Sequence, residues 1–359
     1  MIGRLSSRLR RQPAGKQIDR QRGSGFALPP IPTRRMSSKE IPLERSSPSR
    51  GATVEKSVAE GEHEALGRAR LFIGRNLGGY LFLLPALFIF ALFVWYPLVL
   101  GFILSFQSVD MINPAVWVGW KNYQKVFSDP LFGVAWHNTL TFTGYALLFG
   151  YLVPLGLALL INEMRHARAL FRLAFYLPVM LPPIVTAFLW LWLYNADFGL
   201  INALLKAVHL PGGLWLENQS TALPALVVVA TWGAAGSTML IYLAALQGVP
   251  ASLYEAAELD GSNLWQRIWH ITLPTIRPIM LLMLVLQIIA TMQVFTEPFT
   301  ITGGGPNNAT MTVLILIYRY TFQDAEFGEA SALGVILFLV LAVFALIYMR
   351  MTSRLMEAD

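Results

Sequence analysis

Few residues in this chain could do covalent chemistry. The five histidines, His63, His137, His166, His209 and His270, lie far apart without ligand spacing, and cysteine is absent. Neither a metal site nor a disulfide framework is therefore expected. Gly303 to Gly305 form a glycine run of the kind that can cradle phosphate, but no Gly-Lys-Ser or Gly-Lys-Thr follows it and no Walker A pattern occurs in the chain. Nucleotide chemistry is thus expected on another polypeptide, and no catalytic residue is assigned. What remains is neutral hydrogen-bonding chemistry embedded in apolar sequence. Thr231, Thr238 and Tyr242 recur at i, i+7 and i+11, and Gln287 and Thr291 at i and i+4, each set on one stripe of a helix. With Trp232 and Gln293 they could hydrogen-bond and stack on a hydroxyl-rich solute, although small polar groups also join membrane helices to one another. Thr231, Trp232, Thr238, Tyr242, Gln287, Thr291 and Gln293 are the candidate pathway residues.

The solvent that such residues need is lipid. Of 359 residues, 55% are apolar and only 13% charged, with a mean hydropathy of +0.53, more apolar surface than a water-solvated globule can hide. Six windows contain no Asp, Glu, Lys or Arg: 76–109, 138–162, 173–196, 218–254, 278–296 and 330–349. Each is long enough to cross a hydrocarbon core of about 30 Å as a helix, and in lipid the backbone must bond to itself. The expected fold is an all-α integral membrane bundle of six transmembrane helices, occupying residues 76–352, with kinks tolerated at Pro97, Pro154, Pro182 and Pro183. Carriers coupled to protons or sodium usually place an ionisable group at membrane depth, and these windows have none. Coupling energy is then expected to enter from outside the bilayer.

The net charge of +6 is misleading, because residues 1–79 hold 16 Lys and Arg against 7 Asp and Glu. The basicity belongs to a tail, residues 1–75, whose Arg, Ser, Pro and Gly content predicts disorder and not a nucleic-acid-binding fold. Counted near helix ends only, Arg68, Arg70, Arg75, Arg165, Arg168, Arg172, Arg267, Arg277, Arg350 and Arg354 fall on one side and Lys121, Lys125, Lys206 and Arg319 on the other. The positive-inside rule places both termini in the cytoplasm, including a short end at 353–359, and the segment 249–275 with them.

That segment reads as two short helices. Ser252 and Glu255 have capping-box spacing, predicting a helix from Leu253, and Asp260-Gly261 supplies the left-handed residue that ends it. A second helix from about Ser262 sets Leu264, Ile268 and Ile271 on one face and is expected to stop near Leu273, before Pro274. Glu255-Ala256-Ala257, then Asp260-Gly261, nine residues, and Ile271-Thr272-Leu273-Pro274 resemble the EAA loop of ABC-importer permeases, in both order and spacing.

The resemblance covers nearly all of the chain after residue 80 and narrows to the carbohydrate-uptake branch, the maltose and glycerol-phosphate type. Val118-Gly-Trp-Lys-Asn-Tyr123, Asp129-Pro130 and Asn138-Thr139 are similar to that branch's first outside loop, and Phe198-Gly-Leu-Ile-Asn202 to its second. Ile301-Thr302-Gly303-Gly304-Gly305-Pro306, with Thr310, Tyr318-Arg319, Phe327-Gly328 and Ala330, resembles the first permease of the heterodimer. Ser262 replaces the usual alanine, and the basic tail has no counterpart in the pattern. The resemblance implies a type I importer permease in a bacterial inner membrane, with Glu255, Ala256, Ala257, Asp260 and Gly261 docking on an ATPase dimer that binds ATP and Mg. It also implies a second permease subunit, an external solute-binding protein touching Gly303, Gly304, Gly305 and Pro306, and a sugar or oligosaccharide as cargo. The alternatives are a non-sugar solute such as a phosphorylated polyol, and a membrane enzyme or secondary carrier using Glu297 or Asp197.

Overall fold

The computed structural model describes residues 81–109, 114–164 and 166–356. The basic tail, with the disorder expected of it, lies outside the described residues, as does the end after 356. The described residues are mostly helical. α1 spans Leu81–Leu104, passing through a π turn at Ala91–Trp95, and α2 (Lys121–Ser128) follows a short antiparallel pairing of Gln107–Ser108 with Val116–Trp117. α3 is the long helix Pro130–Glu163, begun by Asp129, whose carboxylate accepts from the Leu131 amide at 2.7 Å.

The third window does not form a straight rod. α4 (Arg168–Tyr176), extended by a 3₁₀ turn to Met180, and α5 (Pro183–Leu193) meet at a bend of 101°. Leu181 and Pro182 are extended there, because a residue before proline is pushed out of the α region and Pro182-Pro183 removes two donors. α6 (Leu200–Ala207) follows, and α7 runs Gln219–Gln247, ending at Gly248 and not carrying helix through to 254. Among the described residues five helices are long and apolar enough to be continuous spans, and the count is six if the bent pair is one span. The chain is thus a multi-pass helical membrane protein.

The segment after α7 differs from the sequence expectation in two respects. α8 occupies Ala251–Leu259 with Pro250 at its cap and no side-chain capping bond, so Ser252 and Glu255 make no capping box. Pro250 already fixes φ for helix entry, and the box forms instead between Asn263 and Gln266, at 2.8 and 2.9 Å. The second helix does not stop before Pro274. α9 runs Leu264–Met292 because a π turn at Ile268–Thr272 widens the backbone at the point where proline removes a donor. The chain then makes a π turn at Pro298–Thr302, α10 (Val313–Phe322) and α11 (Phe327–Met356).

The core is modest for so apolar a chain. α3 and α7 pack along most of their length, and α9 joins them. Tyr242, Phe142, Leu226 and Met239 are the large side chains sealed between these helices, while α1 buries none of its span. Exposed leucine and phenylalanine on this scale suits hydrocarbon as solvent.

Candidate coupling segment and translocation cavity

The left-handed turn expected at Gly261 is present, with φ at +75°. The Gly261 amide donates to the Glu258 carbonyl at 3.1 Å and the Ser262 amide to the Ala257 carbonyl at 2.9 Å, the pair of bonds that defines a Schellman cap. Glu255, Ala256, Asp260 and Gly261 are exposed and Ala257 is half-buried. Two apolar side chains on the same short helix, Leu253 and Leu259, are also exposed, Leu259 at 90%. α8 is tied to α9 at two points that spacing alone does not suggest. The Tyr254 and Thr272 hydroxyls share a 2.9 Å hydrogen bond, and Arg267 pairs with Glu258. These two contacts join α8 to the base of α9.

Higher along α9, Gln287, Thr291 and Gln293 line a cavity of about 250 Å³ together with Thr231 of α7 and Gly150 of α3. Gly150 is what allows this approach, since a Cβ there would lie 2.7 Å from the Gln287 amide nitrogen. Thr291 turns its hydroxyl back to the Gln287 carbonyl at 2.8 Å, and the Gln293 amide donates to the Ile289 carbonyl at 3.2 Å. A second cavity of about 220 Å³ lies beside the bend between α4 and α5, lined by Pro178, Pro183, Thr186 and Gly233. Thr296 and Glu297 line both. Trp232 instead lines an apolar cavity of about 510 Å³, edge-on to Trp190 at 5.8 Å. Tyr242 is sealed in the α3/α7 core in edge contact with Tyr151, and Thr238 is half-buried and lines none of these three cavities. The structure thus brings together four of the seven residues singled out by sequence and adds Gly150, Thr296 and Glu297; Trp232 shares the apolar cavity with Thr231, and Thr238 and Tyr242 line neither.

The glycine loop is held from beneath. Gly303 and Gly304 have φ of +59° and +89°, the Thr302 and Thr310 hydroxyls share a 2.7 Å bond, and the Asn138 amide donates to the carbonyls of Asn308 and Met311. Gly303 is exposed, Gly305 and Pro306 are half-buried, and Gly304 is buried against Met311. A further polar cluster lies at the start of α11, and of its members only Asp129 belongs to a motif read from sequence. Lys125 of α2 pairs with Glu329, whose side chain is only 7% exposed, and stands 4.0 Å from Glu326. The Tyr320 hydroxyl donates to the Asp129 carboxylate at 2.5 Å. The bond to Glu329 holds the Lys125 ammonium above its ordinary value, while burial and then the Glu329 charge push Glu326 up.

Helical spans around a polar cavity, with a surface helix tied to one of them, define a membrane-embedded transport protein. The family model for the binding-protein-dependent transport system inner membrane component matches residues 150–357, and the chain belongs to that family. Its relatives include the probable ABC transporter permease protein YurN of Bacillus subtilis (strain 168), 33% identical over 76% of this chain and 94% of the relative. The trehalose/maltose transport system permease protein MalF of Thermococcus litoralis is 31% identical over 76% of this chain and 92% of its own length. A crystal structure of a bacterial ABC transporter involved in the import of the acidic polysaccharide alginate superposes with a TM-score of 0.72 at 29% identity, covering 80% of this chain and 99% of the other. A crystal structure of a bacterial alginate ABC transporter in complex with alginate pentasaccharide-bound periplasmic protein superposes with a TM-score of 0.70 at 28% identity, covering 79% of this chain and 96% of the other.

Proposed function

We propose that this chain is the permease subunit of an ATP-binding-cassette importer that forms the transmembrane path for a sugar or oligosaccharide delivered by an external binding protein. One observation carries the reading. α9 is a single rod whose base is tied to the exposed α8 helix through Tyr254–Thr272 and Glu258–Arg267, and whose upper half presents Gln287, Thr291 and Gln293 to the cavity. Motion imposed on α8 reaches the cavity lining without an intervening loop, which is what alternating access needs. The relatives named for trehalose/maltose and alginate transport support a saccharide cargo.

On this reading ATP and Mg are held by a separate ATPase dimer docked on Glu255, Ala256, Ala257, Asp260 and Gly261. A second permease subunit completes the path, Gly303 to Pro306 meet the binding protein, and both termini are cytoplasmic. The cavity needs no cofactor, because hydroxyl recognition asks only for neutral donors and acceptors. Replacing Gly261 by Leu tests the coupling. Reconstituted with its ATPase and binding protein, the variant should hydrolyse ATP without accumulating cargo, because a branched side chain at positive φ disturbs the Schellman cap and reorients α8. Unchanged uptake per ATP would overturn the assignment of this segment.

A further inference from the structure

Glu297 stands where the two polar cavities meet, lining both. The described residues that line these cavities include no lysine, arginine or histidine, and Glu297 is their one carboxylate. Among the described residues no cation lies within salt-bridge distance of it. Its neighbours in the lining, Thr296, Thr291, Gln293 and Gln287, are neutral donors and acceptors that cannot offset a negative charge. A half-buried carboxylate without a counter-ion is costly to keep in a structural role, where a leucine would pack as well.

We propose that Glu297 is the charge filter of the translocation path, holding the paired cavities negative so that neutral and amino-bearing saccharides enter and uronate-bearing ones are rejected. The inference rests on the reading of these cavities as the saccharide path. The carboxylate accepts hydrogen bonds from sugar hydroxyls and attracts an ammonium, whereas a second carboxylate brought into the same space is repelled. The chain would thereby exclude the class of cargo carried by the alginate importer whose structure it resembles.

The chain has no native cysteine, so one can be placed in the cavity without background. With Gln293→Cys in the assembled importer, a cationic methanethiosulfonate (the trimethylammonium ethyl reagent) and an anionic one (the sulfonatoethyl reagent) probe the charge. Each rate is normalised to the same reagent's rate with a free thiol in solution. In a cavity of about 250 Å³ a fixed unit charge lies within about 8 Å of any probe, and the cationic reagent should be favoured by about tenfold or more. Adding Glu297→Gln, which keeps the shape and the acceptor, should bring the ratio near one, and Glu297→Asp should keep it high. A ratio near one with Glu297 intact overturns the filter and needs no variant of Glu297 to fold. So does a ratio that Glu297→Gln leaves unchanged, or a cysteine that neither reagent reaches. None of these results touches the coupling of ATP to uptake, which the Gly261 variant tests separately.

Discussion

Gly236 on α7 should tolerate no side chain, and the contrast with Gly233, three residues away, makes this testable. A Cβ at Gly236 would sit 2.3 Å from the Phe175 carbonyl oxygen and 2.8 Å from the Tyr176 Cα, both backbone atoms of α4. Ordinary contact begins near 3.4 Å, so α4 has to retreat by about 1 Å along its contact with α7. Overpacking of this kind costs about 1–3 kcal/mol, and retreat of a whole helix belongs at the upper end. Against it stands the gain from replacing a helical glycine by alanine, about 1 kcal/mol. The clash wins by about 1–2 kcal/mol in Gly236→Ala. At Gly233 a Cβ meets nothing within 4 Å, so only the propensity gain remains and Gly233→Ala should be neutral or mildly stabilising. Thermal unfolding in detergent reads both, with Gly236→Ala lowering Tm by about 3 °C or more relative to Gly233→Ala. Equal midpoints would show that α4 does not press on α7 as described, and the cavity at the α4/α5 bend would lose its wall.

Lys125→Ala should cost about 2 kcal/mol or more in the same assay by stranding the buried Glu329 carboxylate, while Lys125→Met with Glu329→Leu should recover most of the loss. Because Lys125 is raised above 10.5, its contribution is fully present below that pH and is lost only as pH rises beyond it, so the cost of Lys125→Ala should not change between about pH 6 and 9. Gly150→Ala should push the flexible Gln287 amide out of the cavity, lowering uptake several-fold with a stability change under about 1 kcal/mol; an unaltered uptake would remove Gln287 from the path. Single cysteines at Ser262 and Asn307 should react with impermeant reagents only from the cytoplasm and only from outside respectively, and the reverse pattern would invert the proposed topology.

Composition and the six uncharged windows were enough to define a helical membrane protein, because a backbone in lipid has so few options. Spacing was enough for the left-handed turn at Gly261, where local geometry demands glycine. Local rules failed where a neighbouring turn could absorb the conflict. Pro274 was expected to end a helix and instead sits behind a π turn in the unbroken α9, while Ser252 and Glu255 carried a capping signature that Pro250 made unnecessary. Which polar side chains share a cavity was legible only in part, since Thr231, Gln287, Thr291 and Gln293 do and the other three do not. Tyr242 shares a helical stripe with Thr231 but is sealed in the α3/α7 core, whereas Glu297, outside every window and off every stripe, lines both cavities. Periodicity says which residues of one helix face the same way. Only the packing of the helices, in which Gly150 leaves room for the Gln287 side chain and Gly236 for the α4 backbone, decides what they face.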